Sequence, residues 1–485
     1  MARTWRAPAS SDALRFEPEI VFEAGLRNHH ISNTAYPIAH DVTWRPYRVP
    51  PGGAESVARA AWDGIDDLCL YVHIPFCETR CSFCEYTVVR RDEIPWVRQY
   101  MDDLIQEFEL HRAALGTERR CLHGFDIGGG TPSFVPAEEI ARVVAKARQC
   151  FRFAPGSDIS IETTPRIAAA EPEKLAAYQR AGIERISMGV QVIQPDLLKV
   201  LNREANGVAA HRRAVDNIRG AGFTRLNVDL MYGFAGQSLA SWRATLQHAI
   251  DLEPEYVTLY RMRYKLTRIS HQARGVTLDD VCPMATLAKV LLSDAGYHAN
   301  PGKTTYSRIP GDVGTSSYLA RRVMDGMPYL GLGLGAQSFT PTTISYNDGA
   351  VGKNLLPYRR SIERRRLPLQ DIYDLPRRQI MGKMCAVSFY FGEIRREPFG
   401  ARFGVTLEEA FPEEVDFVRR RGLMEWTDEA LRLTPDGALN VNGVIALFFA
   451  PSIQKHLVDR DPESAEDMDS NRRLAVRVAG GEAHV

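Results

Sequence analysis

The sequence predicts an α/β fold: a partial (βα)6 TIM-like barrel, preceded by an N-terminal arm and followed by a small winged-helix-like C-terminal domain. Three observations predict it. Short apolar runs alternate with segments of helical periodicity, a pattern of βαβ units around a parallel sheet. About six units are visible, fewer than the eight that close a full barrel. The patterning changes at both ends of this block.

The first strand is Leu70-Tyr71-Val72-His73-Ile74, just ahead of Pro75. Further strands are read at residues 125–127, 159–161, 185–190, 226–231 and 256–260. Helical periodicity fills 96–111, 137–150, 171–181, 208–220 and 239–252 between them. Residues 1–65, rich in Pro, Arg and aromatic side chains, show little periodicity and read as an extended arm lying on the core. Residues 66–364 hold the barrel and its extension. In 365–457, helical stretches surround Gly422-Leu423-Met424-Glu425-Trp426 and Leu431-Arg432-Leu433, two short strands, hence the winged-helix-like domain. Residues 458–485 are polar and charge-rich and are expected to be disordered.

With 45% hydrophobic and 25% charged residues among 485, the composition is that of a globular protein. Lys plus Arg equals Asp plus Glu at 60 each, so no dominant basic footprint for nucleic acid exists. No apolar run reaches bilayer-spanning length, and Met1–Ser10 lacks the apolar core of a signal peptide. A cytoplasmic protein without nucleic-acid or membrane partners is expected.

Of eight cysteines, Cys69, Cys121, Cys150, Cys282 and Cys385 are scattered and read as small buried residues. The other three form Cys77-Glu78-Thr79-Arg80-Cys81-Ser82-Phe83-Cys84, a CxxxCxxC array directly after the first strand. Loops at the carboxyl ends of barrel strands build active sites. Three thiolates on one compact loop can hold three corners of an iron–sulfur cluster and leave one iron open to a small ligand. Zinc is the competing reading, but structural zinc takes four closed ligands and no second CxxC pair is nearby; His73 lies within the strand.

With these residues in view, the chain resembles the radical S-adenosylmethionine (SAM) enzymes, and within them the oxygen-independent coproporphyrinogen III oxidase (HemN-like) family. The resemblance starts at Tyr71-Val72-His73-Ile74-Pro75-Phe76-Cys77 and continues through Phe125-Asp126-Ile127-Gly128-Gly129-Gly130-Thr131-Pro132-Ser133. It resumes at Ile161-Glu162-Thr163-Thr164-Pro165-Arg166, Arg185–Gln191, Asn202-Arg203-Glu204, Asn227–Gly233 and Gly331–Gly335, covering roughly residues 35–457. It implies a radical SAM barrel, a 4Fe–4S cluster on Cys77, Cys81 and Cys84, and SAM on the open iron. One electron from a donor such as flavodoxin or ferredoxin then yields methionine and a 5′-deoxyadenosyl radical.

The same resemblance places the methionine part of SAM on Gly129, Gly130 and Thr131; glycines there allow close backbone approach, although a glycine triplet is also an ordinary turn. It puts Glu162 against SAM, where the residue alone reads equally well as a solvated strand-end acid. Gln191, Arg203 and Asp229 would surround a second SAM molecule. Arg203 by itself reads as a surface ion-pair partner, whereas Asp229 inside an apolar strand needs a partner. Tyr71 and Phe83 match residues near the two cofactors and are otherwise core aromatics.

The chain departs from the oxidase pattern. Tyr86 stands where those enzymes carry a further Cys, and Ile31-Ser32-Asn33-Thr34-Ala35-Tyr36-Pro37 lacks the arginine of their arm, a loss that disfavours a tetra-acid substrate. Segments 302–308 and 316–322, with Gln337, Tyr346 and Asn347, read as either substrate lining or solvated loop. The His29-His30 pair has no third ligand at a clear spacing, and adjacent histidines in extended chain point different ways. The departures lead to a class C-type expectation. One SAM supplies the radical and a second supplies one carbon, by methylation or cyclopropanation, to an unsaturated small molecule in specialised (natural-product) biosynthesis, with a partner methyltransferase as a possible companion. The alternatives are coproporphyrinogen III decarboxylation and a haem-binding or haem-transfer protein.

Overall fold

The computed structural model describes residues 5–32, 34–264 and 267–460. Its main body is a curved sheet. The parallel run comprises β1 (Asp67–Ile74), β2 (Cys121–Gly129), β4 (Ile159–Thr163), β5 (Arg185–Gln191), β6 (Arg225–Tyr232) and β7 (Tyr256–Arg261), with the two-residue β3 (Arg152–Phe153) beside β2. On one edge β8 (Thr305–Ser307) pairs antiparallel with β7. On the other, β9 (Tyr329–Leu332) pairs parallel with β1 and leads into antiparallel β10 (Gln337–Phe339), β11 (Thr343–Asn347) and β12 (Leu369–Asp374). The six strands expected from sequence are thus hydrogen-bonded neighbours in chain order, the α/β partial barrel that the periodicity implied.

The two faces of the sheet differ in chemistry. Val72, Ile127, Ile161, Ile186, Val228 and Val257 form one buried apolar core against the surrounding helices. Side chains alternate along a strand, so the intervening residues face the other way. Across neighbouring strands they form register rows: Tyr71, Asp126, Ser160 and Arg185 in one, Glu162, Ser187 and Asn227 in the next. A polar, partly ionisable lumen results, which a purely structural barrel core would not carry.

The helices behind the strands begin where local chemistry favours them. The helix Ala137–Cys150 opens with Glu138 and Glu139 and closes with Arg148, matching the helix dipole. The helix Leu239–Asp251 is capped by Ser238, whose hydroxyl accepts from the Ser241 amide at 3.1 Å.

The arm is less extended than expected. It contains the helices Pro18–Arg27 and Pro51–Ala61, each starting on a proline. Ten or eleven residues give little periodic signal, and such helices persist through tertiary packing. Here Val21, Phe22 and Ala24 bury against the C-terminal region, and Gly25 lies so close to Asn442 that an added Cβ would sit 2.6 Å from its carbonyl oxygen. That region carries a second sheet, β13 (Glu393–Arg395), β14 (Met424–Trp426) and β15 (Ala430–Leu433), in the order β13-β15-β14, among short helices. The arm, the β9–β12 extension and the C-terminal region share one core that includes Trp44, Tyr329, Ile344 and Phe448. Among the described residues no helix is long and apolar enough to cross a membrane. Of the tail expected to be disordered, residues 461–485 lie outside the described residues.

The helix Ser317–Met324 packs directly on β2, and a Cβ on Gly124 would meet the Tyr318 amide nitrogen at 2.1 Å. Gly124→Ala is expected to destabilise the protein by about 1–3 kcal/mol through overpacking, read as a lowered thermal midpoint. An unchanged midpoint would contradict this docking.

Candidate functional site

β1 runs into the cysteine loop at its carboxyl end, and the loop is fixed by its backbone. The Ser82 amide donates to Leu201 O at 3.1 Å, Ser82 O accepts from the Arg268 amide at 3.0 Å, and Asn202 Nδ2 donates to Arg80 O at 2.9 Å. Lys353 Nζ donates to the carbonyls of Glu85 and Tyr86 at 2.9 and 3.0 Å. Cys77, Cys81 and Cys84 are half-buried, unbridged thiols lining one cavity. Thr131 Oγ1 donates to Cys77 Sγ at 3.5 Å and Arg203 Nη1 to Cys81 Sγ at 3.3 Å. Burial pushes the Cys77 thiol up to about 12 and raises that of Cys84, so thiolates here need a positive centre to stabilise them. One zinc ion with bonds of about 2.3 Å requires its sulfurs within about 4.6 Å of one another. The three sulfurs do not all lie within 4.8 Å, and His73 does not join them; its Nε2 meets Thr87 O at 2.7 Å. The donor set therefore fits a cluster wider than a single ion. Of the scattered cysteines read as buried, Cys69, Cys150 and Cys385 are fully buried, whereas Cys121 and Cys282 are only half-buried.

The glycine turn is pressed against this loop. The Gly130 amide donates to Ile74 O and the Thr131 amide to Phe76 O, both at 2.8 Å. Gly129 has φ +119°, and a Cβ there would sit 2.5 Å from the His73 ring; at Gly130 it would sit 2.6 Å from Phe76 O. The glycines are needed for contact with the cysteine strand itself, which adds to the ligand contact expected from sequence.

Two adjoining chambers follow. The first, about 230 Å³, is lined by the cysteine loop, Gly129, Gly130, Thr131, Glu162, Gln191, Arg203 and Asp229. The second, about 490 Å³, is lined by Tyr71, Asp126, Arg185, Tyr318, Arg322 and Tyr346 among others; Gly129, Glu162, Ser187, Asp229 and Tyr260 belong to both. Glu162 opens onto this shared wall, and the Gly129 amide donates to it at 3.3 Å. Burial within the barrel, then the nearby Asp229 carboxylate, pushes Glu162 up to about 8. Asp229 accepts from Ser187 Oγ at 2.7 Å and Asn227 Nδ2 at 2.8 Å, and burial raises it to about 6. Gln191 ends β5 in the left-handed region at φ +68°, and its side-chain oxygen is buried without a partner. A strained, unsatisfied residue at a chamber wall fits a site awaiting a ligand.

The structure thus brings together the cysteines and every expected cofactor residue except Tyr71. That residue faces the second chamber, its hydroxyl 3.0 Å from His73 Nδ1. Phe83 lines the first chamber and packs on Phe234 at 6.4 Å between centroids. Of the undecided residues, Ser316, Tyr318, Arg322, Gln337 and Tyr346 line the second chamber, whereas Asn347 instead donates to Glu107 at 2.7 Å. His29 and His30 do not point different ways; their rings lie 3.8 Å apart because the arm turns inward against Arg261 and Val276. Asp126, Arg185, Tyr260 and Arg261 were not singled out as site residues. Period-two alternation marks Asp126 as opposite in facing to its apolar neighbours, and a place at the carboxyl end of a parallel strand marks Tyr260 and Arg261.

Against known proteins, residues 71–249 match the family model of the radical SAM superfamily. An oxygen-independent coproporphyrinogen III oxidase from Salmonella typhimurium is 27% identical over 411 residues, 80% of this chain and 86% of that one. The heme chaperone HemW of Bacillus subtilis is 26% identical over 78% of this chain and 98% of its own. HemW of Haemophilus influenzae is 34% identical over 198 residues, 40% of this chain and about half (51%) of the relative. The solved structure of Escherichia coli coproporphyrinogen III oxidase (HemN) superposes with a TM-score of 0.68 at 24% identity, covering 81% of this chain and 93% of that one, which establishes the shared fold.

The folded protein holds the Glu162 proton more tightly than an unfolded chain, in which glutamate titrates near 4.5. Without bound cofactors its stability is therefore expected to fall as pH rises from about 4.5 to about 8. Glu162→Gln should flatten that part of the stability–pH curve. An unchanged curve in the variant would show that Glu162 is not held protonated.

Proposed function

We propose, from the premise that the chain belongs to the radical SAM superfamily with HemN-like relatives, that it uses an adenosyl radical to abstract hydrogen from an organic substrate held in the second chamber. The superfamily's cofactors are a 4Fe–4S cluster and SAM. Cys77, Cys81 and Cys84 would hold the cluster, and Gly129, Gly130, Thr131 and Glu162 would hold SAM. When bound, this pair supplies one-electron cleavage of SAM to methionine and the radical.

The observation that carries the reading is the wall common to both chambers, made by Glu85, Tyr86, Gly129, Glu162, Ser187, Asp229 and Tyr260. It leaves cofactor space and substrate space side by side inside one barrel. The chain's own residues supply positioning and charge. Glu162, open to the chamber, and Asp229, half-buried, have no paired base among the described residues and would take the ammonium and sulfonium charges of SAM. Arg203, donating to Cys81 and to the Gly189 carbonyl, steadies the thiolate loop. The β9–β12 extension and the helix Ser317–Met324 line the second chamber and would help to shield a reactive intermediate from water. An external one-electron donor and a cytoplasmic, reducing setting belong to the same proposal.

Oxidative decarboxylation of coproporphyrinogen III is the finer reading that the relatives support better, because the Salmonella enzyme aligns over most of both chains. One-carbon transfer with a second SAM near Gln191, Arg203 and Asp229 is the second reading. It is favoured by Tyr86 at the missing cysteine position; the chamber lining itself is mixed, with Arg185 and Arg322 beside Asp126, Glu162, Asp229 and Asp371.

The test is anaerobic turnover of reconstituted, reduced enzyme with SAM and coproporphyrinogen III, followed by mass spectrometry. Deoxyadenosine is expected, and alanine at Cys77, Cys81 or Cys84 is expected to abolish it. Loss of carbon dioxide from the porphyrinogen selects the first finer reading. Deoxyadenosine with unchanged porphyrinogen would show a working radical enzyme with another substrate and move the search to unsaturated small molecules. No deoxyadenosine, together with stoichiometric haem binding, would replace both with a haem carrier.

A further inference from the structure

Arg261, like Arg80 and Arg203, lines the first chamber without a carboxylate partner among the described residues, and it differs from them in being held by two segments far away in sequence. It ends β7 and is half-buried in the chamber wall. Among the described residues no carboxylate pairs with it. Its Nη1 donates to Asn442 Oδ1 at 2.9 Å, and its Nη2 donates to the ring nitrogen Nδ1 of His29, with the His29 carbonyl at 3.5 Å. Burial works against its charge, and the nearest groups that favour it are the Tyr232 hydroxyl and the Cys282 thiol. The neighbouring Arg263, in contrast, is paired with Glu85.

The neutral partners are themselves held in orientation. Asn442 Nδ2 donates to the His29 and Ser32 carbonyls, which fixes the amide with its oxygen toward Arg261. His29 accepts through Nδ1 only as a neutral ring, and burial, with His30 and Arg261 beside it, pushes its pKa down to about 3. Two segments, 232 and 181 residues from Arg261 in sequence, thus converge to aim one guanidinium without neutralising it. A cation half withdrawn from water with only neutral partners is costly, and an arginine fork matches a carboxylate.

We propose that Arg261 is a carboxylate anchor of this chamber, presented by His29 of the arm and Asn442 of the C-terminal region. The carboxylate is that of a SAM molecule or that of the substrate; the chemistry is shared. The proposal rests on the chamber being cofactor and substrate space, and it makes the arm and the C-terminal region working parts of the site.

The experiment is equilibrium dialysis of the reconstituted full chain with two matched pairs: SAM against its decarboxylated analogue, and coproporphyrinogen III against its tetramethyl ester. Arg261→Met is expected to weaken the acid of one pair by about tenfold, the worth of a charge-assisted contact, and to leave its carboxylate-free partner unchanged. Arg261→Lys should recover part of the loss. The pair affected identifies the source of the carboxylate. His29→Asp keeps the arm contact but gives Arg261 an internal anion; it should reproduce the loss without lowering the thermal midpoint, and it serves if Arg261→Met does not fold. Unchanged discrimination within both pairs in these variants would overturn the proposal and leave Arg261 as a structural tie. A wild-type chain that binds neither SAM nor its analogue would instead remove the radical SAM reading, and this proposal with it.

Discussion

Two backbone hydrogen bonds, from the Gly130 amide to Ile74 O and from the Thr131 amide to Phe76 O, carry the β1–β2 ladder past the ends of the strands. They hold the cysteine loop against the glycine turn. Any side chain at Gly130 would drive into the Phe76 carbonyl, so the contact depends on backbone meeting backbone. The positions of the thiols, the entrance of the first chamber and the approach of Glu162 to Gly129 all follow from it. Arg203 and Lys353 reach the loop from the far side and complete its fixation.

The lumen behind this loop is held in electrostatic imbalance. Glu162, Asp229 and Arg261 line the same chamber, and none of the three forms an ion pair among the described residues. Burial works against the charged form of each, most at Glu162, which it pushes up to about 8. A ligand with both an ammonium or sulfonium and a carboxylate would relieve both sides at once, so binding would also stabilise the fold. Such a ligand would be held where arm, barrel and C-terminal region meet, through the contacts of Arg261 with His29 and Asn442.

Much of this was legible in the sequence. The six parallel strands and the helices at 137–150 and 208–220 follow from apolar periodicity, and the cysteine loop follows from its spacing directly after a strand. The short helices of the arm and the three-residue strands β10 and β13 were not legible, because segments of that length gain their stability from partners far away in sequence. The same holds for Arg261, whose meaning depends on His29 and Asn442. Tyr86 in place of a cysteine, and the missing arginine of the arm, argued from sequence for one-carbon transfer. The relatives aligned over most of their length are named as coproporphyrinogen oxidase and heme chaperone, and an absent residue is weaker ground than an aligned chain.

Whether Cys77, Cys81 and Cys84 hold a cluster with one iron open to SAM is read by electron paramagnetic resonance of the anaerobically reconstituted, dithionite-reduced protein, recorded with and without SAM. The signal of a reduced 4Fe–4S cluster is expected, changed in shape by SAM and absent when the three cysteines are replaced. Zinc uptake with no cluster signal, or a cluster signal indifferent to SAM, would rule such a centre out.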